Sequence, residues 1–78
     1  MNNELLANLD KIHTTELGKE RITQNLKLDN IDVVSWCKQK IKKADTATKI
    51  GKNWYVYADN VKITINAHSF TIITVHLM

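Results

Sequence analysis

Histidine is the side chain that exchanges a proton most readily near neutral pH, and this chain has three, His13, His68 and His76. His76 has the most suggestive neighbours. On a strand, Thr74 projects from the same face as His76, and a paired strand brings Thr64 or Asn66 across from it. Cleaving RNA without a metal needs a base for the 2′-hydroxyl, a cation or donors to hold the phosphate, and an acid for the leaving oxygen. His76 as base, Arg21 or Lys52 as cation, and Ser69 or Thr74 as proton donor supply that inventory, with Asn66 beside them. The plainer reading of the same histidine is a partly exposed side chain on a sheet edge.

Nucleic-acid binding asks for flat rings and positive charge. Tyr55 and Tyr57 alternate with Trp54 and Val56, so they are expected to face solvent and offer stacking platforms for unpaired bases. Lys42, Lys43, Lys49 and Lys52 would track the phosphates, within a stretch where Lys38, Lys40, Lys42, Lys43, Lys49 and Lys52 face only Asp45. Lysines at a helix end also complement the helix dipole and solvate the surface, which accounts for the same charges without a ligand. Trp36 and Trp54 are read as core anchors, because a small domain must find its large apolar side chains somewhere.

Other chemistries fit poorly. Cys37 falls in the apolar stripe of a helix, a poor place for a nucleophile, and as the single cysteine it cannot form an internal disulfide. Metal-ligand spacings are missing, and Gly18 and Gly51 are the only glycines, so no glycine-rich phosphate loop exists. No metal or cofactor is expected.

The elements that must position these residues follow from periodicity. Leu5, Leu6, Leu9 and Ile12 recur at helical spacing and end near His13-Thr14-Thr15. Thr15 can cap a second helix reaching Leu26, with Leu17, Ile22 and Leu26 toward the core. Asp29 or Asn30 can cap a third, in which Val33, Val34, Cys37 and Ile41 form the buried stripe. From Thr46 the period becomes two, with turns at Gly51-Lys52, Asp59-Asn60 and His68-Ser69. Val61, Ile63 and Ile65 face one way, and Lys62, Thr64 and Asn66 the other. In the last strand Thr71, Ile73, Val75 and Leu77 alternate with Phe70, Ile72, Thr74 and His76, so that one face meets the helices and the other forms a shallow groove. The expectation is an α+β domain, two to three N-terminal helices followed by a four-stranded antiparallel meander sheet.

With 78 residues, 44% hydrophobic, the chain can bury one core, so residues 1–78 are read as a single domain, helical over 1–45 and sheet over 46–78. The net charge of +3 is unevenly spread: eight basic and seven acidic groups in 1–45, three basic and one acidic in 46–78. That balance argues against an acidic mimic of DNA. Apolar runs such as FTIITV are too short to span a bilayer, and MNNELLANLDK lacks the order of a secretion signal, so no membrane association is expected and the cytoplasm is. Abundant Lys, Asn, Ile and Thr without proline point to an AT-rich bacterial or phage genome.

The segments TELGKERITQNL, DVVSWCKQKI, GKNWYV and ITINAHSFTIITVH resemble a small bacterial family catalogued only as a domain of unknown function, over most of the chain. That resemblance implies no activity. More loosely, helices followed by a four-stranded antiparallel sheet with polar residues on the final strands are similar to the RelE, barnase, EndoU and colicin group of small metal-independent ribonucleases. The likeness is architectural, and it nominates Arg21 in the second helix and Thr74 and His76 in the last strand. The leading expectation is therefore a small RNA-binding or RNA-cleaving protein of toxin or phage type. Two other readings remain open. One is a non-enzymatic module that binds a bacterial protein, such as a phage-encoded inhibitor of a defence system. The other is a homodimer paired through the last strand.

Overall fold

The computed structural model describes residues 3–27 and 32–78. Helices α1 (Asn3–Ala7), α2 (Glu16–Leu26) and α3 (Val33–Lys42) precede strands β1 (Thr46–Ile50), β2 (Asn53–Ala58), β3 (Val61–Asn66) and β4 (Ile72–Leu77). All neighbours pair antiparallel in the order β1-β2-β3-β4, so the sheet is a meander and the α+β expectation holds. The helices lie on one face, α2 against β4 and α3 against β2. Among the described residues no helix is long and apolar enough to cross a membrane.

The first helix is shorter than its leucine spacing suggests. Asn8 donates its side-chain amide to the Glu4 carbonyl at 2.7 Å, the group that its own backbone N–H would use in a continuing helix. The chain then makes a single 3-10 turn over Leu9–Lys11. Leu5 and Ile12 are still buried, and Leu6 and Leu9 still pack against the core.

In α2 the Thr15 hydroxyl accepts from the Gly18 N–H at 3.0 Å, as the expected cap should. Leu17 is a correction: it is 66% exposed, and the buried stripe is Gly18, Ile22 and Leu26. Those three recur every four residues, whereas Leu17 stands about 100° around the helix from Gly18. Gly18 is required by closeness rather than by conformation. A Cβ there would run into the Thr14 hydroxyl, which is held in place by donating to the Ile72 carbonyl at 3.0 Å.

The cap of α3 is Asp32, whose carboxylate accepts from the Val34 and Ser35 N–H groups; the expected caps, Asp29 and Asn30, lie outside the described residues. Val33, Cys37 and Ile41 are buried, while Val34 is only half-buried. Trp36 is likewise half-buried rather than a core anchor, with the Lys40 ammonium 5.3 Å above its ring.

Two hairpins have two-residue turns. Gly51 takes the positive φ of 61° in the first, and Asp59 and Asn60, at φ 46° and 67°, adopt the left-handed pair of a type I′ turn in the second. Those turns fix the register on both sides of β2. Between β3 and β4 the register slips: Ile65 pairs with Ile72 but Thr64 pairs with Thr74, so Ile73 is an extra residue. This corrects the simple alternation expected for β4. Ile72 and Val75 both turn into the core, and Ile73 is 42% exposed.

The outer edge of β4 is occupied. His13 exchanges backbone bonds with Phe70 and Ile72, Thr14 bonds the Ile72 carbonyl, and Asn25 bonds the Val75 carbonyl at 3.2 Å. Strand β1 is the opposite edge of the sheet, and among the described residues no hydrogen bond from outside the β1–β2 pair reaches it.

Candidate nucleic-acid interface

The strands present two opposite surfaces because side chains alternate. Trp54, Val56, Ile63, Ile65 and Val75 point at the helices and are fully buried. On the other side the register lines up two rows. Thr48, Tyr55, Thr64 and Thr74 form one, and Thr46, Tyr57, Lys62 and His76 form the next.

Tyr55, Tyr57 and Lys62 are half-buried, and His76 is exposed. Thr64 is 7% exposed, which makes it the floor of a shallow groove between Tyr55 and Thr74. At the β4 side, the Thr74 hydroxyl lies 3.4 Å from His76 Nε2 and accepts from the Asn25 amide of α2 at 3.5 Å. Lys62 stands directly across from His76, and among the described residues it has no acidic partner. The surface thus combines two rings, an unpaired ammonium and an imidazole. Rings of this kind stack on bases, the ammonium attracts phosphate, and the imidazole can take a proton.

A second cluster lies at the end of the sheet where the β1–β2 turn meets the β3–β4 loop. The Ala67 N–H donates to the Lys52 carbonyl at 2.8 Å and joins the two loops. Between them is a cavity of about 640 Å³, lined by Lys49, Gly51, Lys52, Asn66, Ala67, His68 and Ser69. Asn66 holds the loop in shape: its Oδ1 accepts from the His68 and Ser69 N–H groups at 2.8 and 3.0 Å. Behind the cavity runs a hydrogen-bonded relay. Ser69 Oγ is 2.7 Å from Thr71 Oγ1, which is 3.0 Å from His13 Nε2, and His13 Nδ1 is 2.8 Å from the Lys11 carbonyl. A carbonyl only accepts, so Nδ1 carries the hydrogen. Ser69 Oγ also donates to Asn66 Oδ1 at 3.4 Å, which ties the relay to the loop.

The residues singled out from the sequence therefore separate into groups. Thr74 and His76 come together on the open face. Asn66 is drawn into its loop and shares the cavity with Lys49 and Lys52 instead. Arg21 is exposed on α2, one turn before Asn25 and so on the same side of the helix as the residue that bonds Thr74, but it makes no hydrogen bond or ion pair among the described residues. Lys42 ends α3 and Lys43 follows it toward the start of β1, seven and six residues before Lys49, at the opposite end of the sheet from the cavity. Lys40 in the same run is tied to Asp59 at 2.9 Å, which holds that carboxyl below the usual carboxylate range. The lysine patch is thus divided between the two ends of the sheet.

Lys62 was missed as a binding residue, although a signal for it existed. A two-residue turn at Asp59-Asn60 pairs Ala58 with Val61, and counting back places Lys62 beside Tyr57. His13 gained its partners from a segment near the opposite end of the chain, which no local pattern reveals. Cys37 is fully buried, and burial pushes its thiol up to about 12, so it stays protonated and unreactive. Among the described residues no three His, Cys, Asp or Glu gather as metal ligands.

A family model described as "Protein of unknown function (DUF3781)" matches residues 6–76, and the chain belongs to that family. No curated protein and no solved structure matches it.

Proposed function

We propose that this member of the DUF3781 family binds single-stranded RNA across the open face of its sheet, bases stacking on Tyr55 and Tyr57 and the backbone running past Lys62. One observation carries the reading: on a face that no helix covers, the β2–β3 register places two half-buried tyrosines next to an unpaired lysine. Tyrosines kept there only for packing would lie under a second layer, whereas these are only half-buried. Each stacked base is worth ~1–3 kcal/mol, so two rings support sequence-tolerant binding.

Cleavage is a second reading, favoured by the Thr74–His76 contact opposite Lys62. There His76 Nε2 would accept the 2′-hydroxyl proton as the 2′-oxygen attacks phosphorus, Lys62 would steady the phosphate with Arg21 of α2 as a second cation, and the departing 5′-oxygen would take its proton from water.

The test is a titration of the protein with single-stranded RNA at two salt concentrations, followed by a gel of the same samples. Binding should weaken as salt rises, and Tyr55→Ala with Tyr57→Ala should lower affinity ~10-fold or more. Wild-type affinity in that double variant would end the reading. Metal-independent cutting lost in His76→Ala would add the second reading, and intact RNA throughout would leave binding alone.

A further inference from the structure

We infer that the cavity between the two loops takes the terminal phosphate monoester of the bound strand, held by Lys49, Lys52 and His68. This rests on the RNA reading and specifies which end chemistry the site selects.

The charge argument comes first. No carboxylate lines the cavity, and the ion pairs among the described residues engage Lys19 and Lys40, leaving Lys49 and Lys52 without an acidic partner. Two ammonium groups with a histidine beside them, around a concavity of about 640 Å³, make a site for an anion.

Next is the kind of anion. The backbone donors of the loop are already used: His68 and Ser69 N–H on Asn66 Oδ1, Phe70 N–H on the Asn66 carbonyl, and Ala67 N–H on the Lys52 carbonyl. The Ser69 hydroxyl is engaged by Thr71 Oγ1 and Asn66 Oδ1. On the β3–β4 loop side of the cavity, recognition therefore falls to side-chain charge. Two lysines reward a group that carries nearly two negative charges, and a phosphate monoester carries about −1.5 to −2 at pH 7, where an internal diester carries one.

Position then selects the end of the strand. Asn53 and Asn66 are the last pair of β2 and β3, two residues or ~7 Å beyond Tyr55 along the strand. Past them the bond from Ala67 to Lys52 closes the two loops together. A strand lying on Tyr57 and Tyr55 reaches Asn66 and Lys52 where the stacking surface stops, and Lys49, across from Trp54, enters the cavity from the helix side of the sheet. The loop bonds also fix the backbone on both sides of the cavity, so the site is formed before the ligand arrives.

The experiment is calorimetric titration of one RNA sequence bearing a 5′-phosphate, a 3′-phosphate or hydroxyls at both ends. One phosphorylated form should bind about tenfold more tightly than the hydroxyl-ended strand. The Lys49→Gln/Lys52→Gln variant should bind all three strands with affinities within about twofold of one another, and circular dichroism should confirm its fold. Equal binding of all three strands, or a preference that survives in the variant, would overturn the inference. If no strand binds, the RNA reading has failed, and inorganic phosphate then decides the cavity by itself. Saturable shifts of the His68 resonances, absent in the variant, would retain an anion site, and unmoved resonances would remove it.

Discussion

The two faces of one sheet differ in what they can lose. On the helix side, Val56, Ile63, Ile65 and Val75 have no exposure at all, and each touches neighbours that cannot close up around a gap. On the other side the same strands carry Tyr55, Tyr57, Lys62, Thr74 and His76, half-buried or exposed, where a truncated side chain is replaced by water. One backbone therefore serves two ends: burial on one surface supplies stability at ~25 cal/mol per Å² of apolar area, and the second is free to be shaped by a ligand.

The sharpest way to break that contrast is to truncate neighbours on β3 that point in opposite directions. Ile63→Ala should cost ~2–5 kcal/mol in urea unfolding, the transfer loss plus the cavity left in the core. Lys62→Ala, one residue earlier, should change stability by no more than ~0.5 kcal/mol, yet weaken RNA binding and flatten its salt dependence. Equal losses of stability from the two substitutions would mean that the open face is as tightly built as the covered one, and the functional reading would lose its basis.

A smaller effect tests how the helix layer sits on its face. Gly→Ala inside a helix ordinarily adds up to ~1 kcal/mol of stability. At Gly18 the sign should reverse, with a loss of ~1–3 kcal/mol, because the new methyl meets the Thr14 hydroxyl anchored on the Ile72 carbonyl. Thr14→Ala removes that hydroxyl, so the double variant should recover part of the loss. Thermal unfolding of the three proteins checks this, and a stabilising Gly18→Ala would show that α2 seats more loosely than its contacts suggest.

Much of the fold was legible because it follows from local rules. The change of period at Thr46, the Thr15 cap and the turns at Gly51 and Asp59-Asn60 all express backbone preferences of a few adjacent residues. What escaped depends on distant partners. Leu17 reads as core until Gly18 is known to lie against Thr14 and the sheet edge, which turns the helix by about one residue. The bulge at Ile73 cannot be counted from the sequence, since FTIITV is apolar in both registers, and it decides which residues share a face with Thr74. The candidate site was readable to the same extent. Tyr55, Tyr57, Thr74 and His76 were placed by alternation, while the division of the lysines between two ends of the sheet needed the path of α3 into β1.

The smallest predicted effect concerns acid at the cap of α3. Asp32 accepts from the Ser35 and Val34 N–H groups and from the Ser35 hydroxyl, and these bonds, the Ser35 N–H foremost, hold its carboxyl below the usual range. A carboxyl depressed in the folded state binds its proton more readily when unfolded. Its contribution is therefore present above the ordinary carboxylate pKa and fades as pH falls through the lower, folded value. Wild-type protein should lose urea resistance over that acidic interval. Asp32→Asn keeps a cap without a titrating group, and its midpoint should fall less over the same interval. The Tyr57 ring resonances and a probe on α3 should report the same transition if the two faces unfold together. Should α3 loosen first while the sheet signal holds, the helix layer is the separable part of the molecule, and the open face keeps its geometry at a pH where the cap has failed.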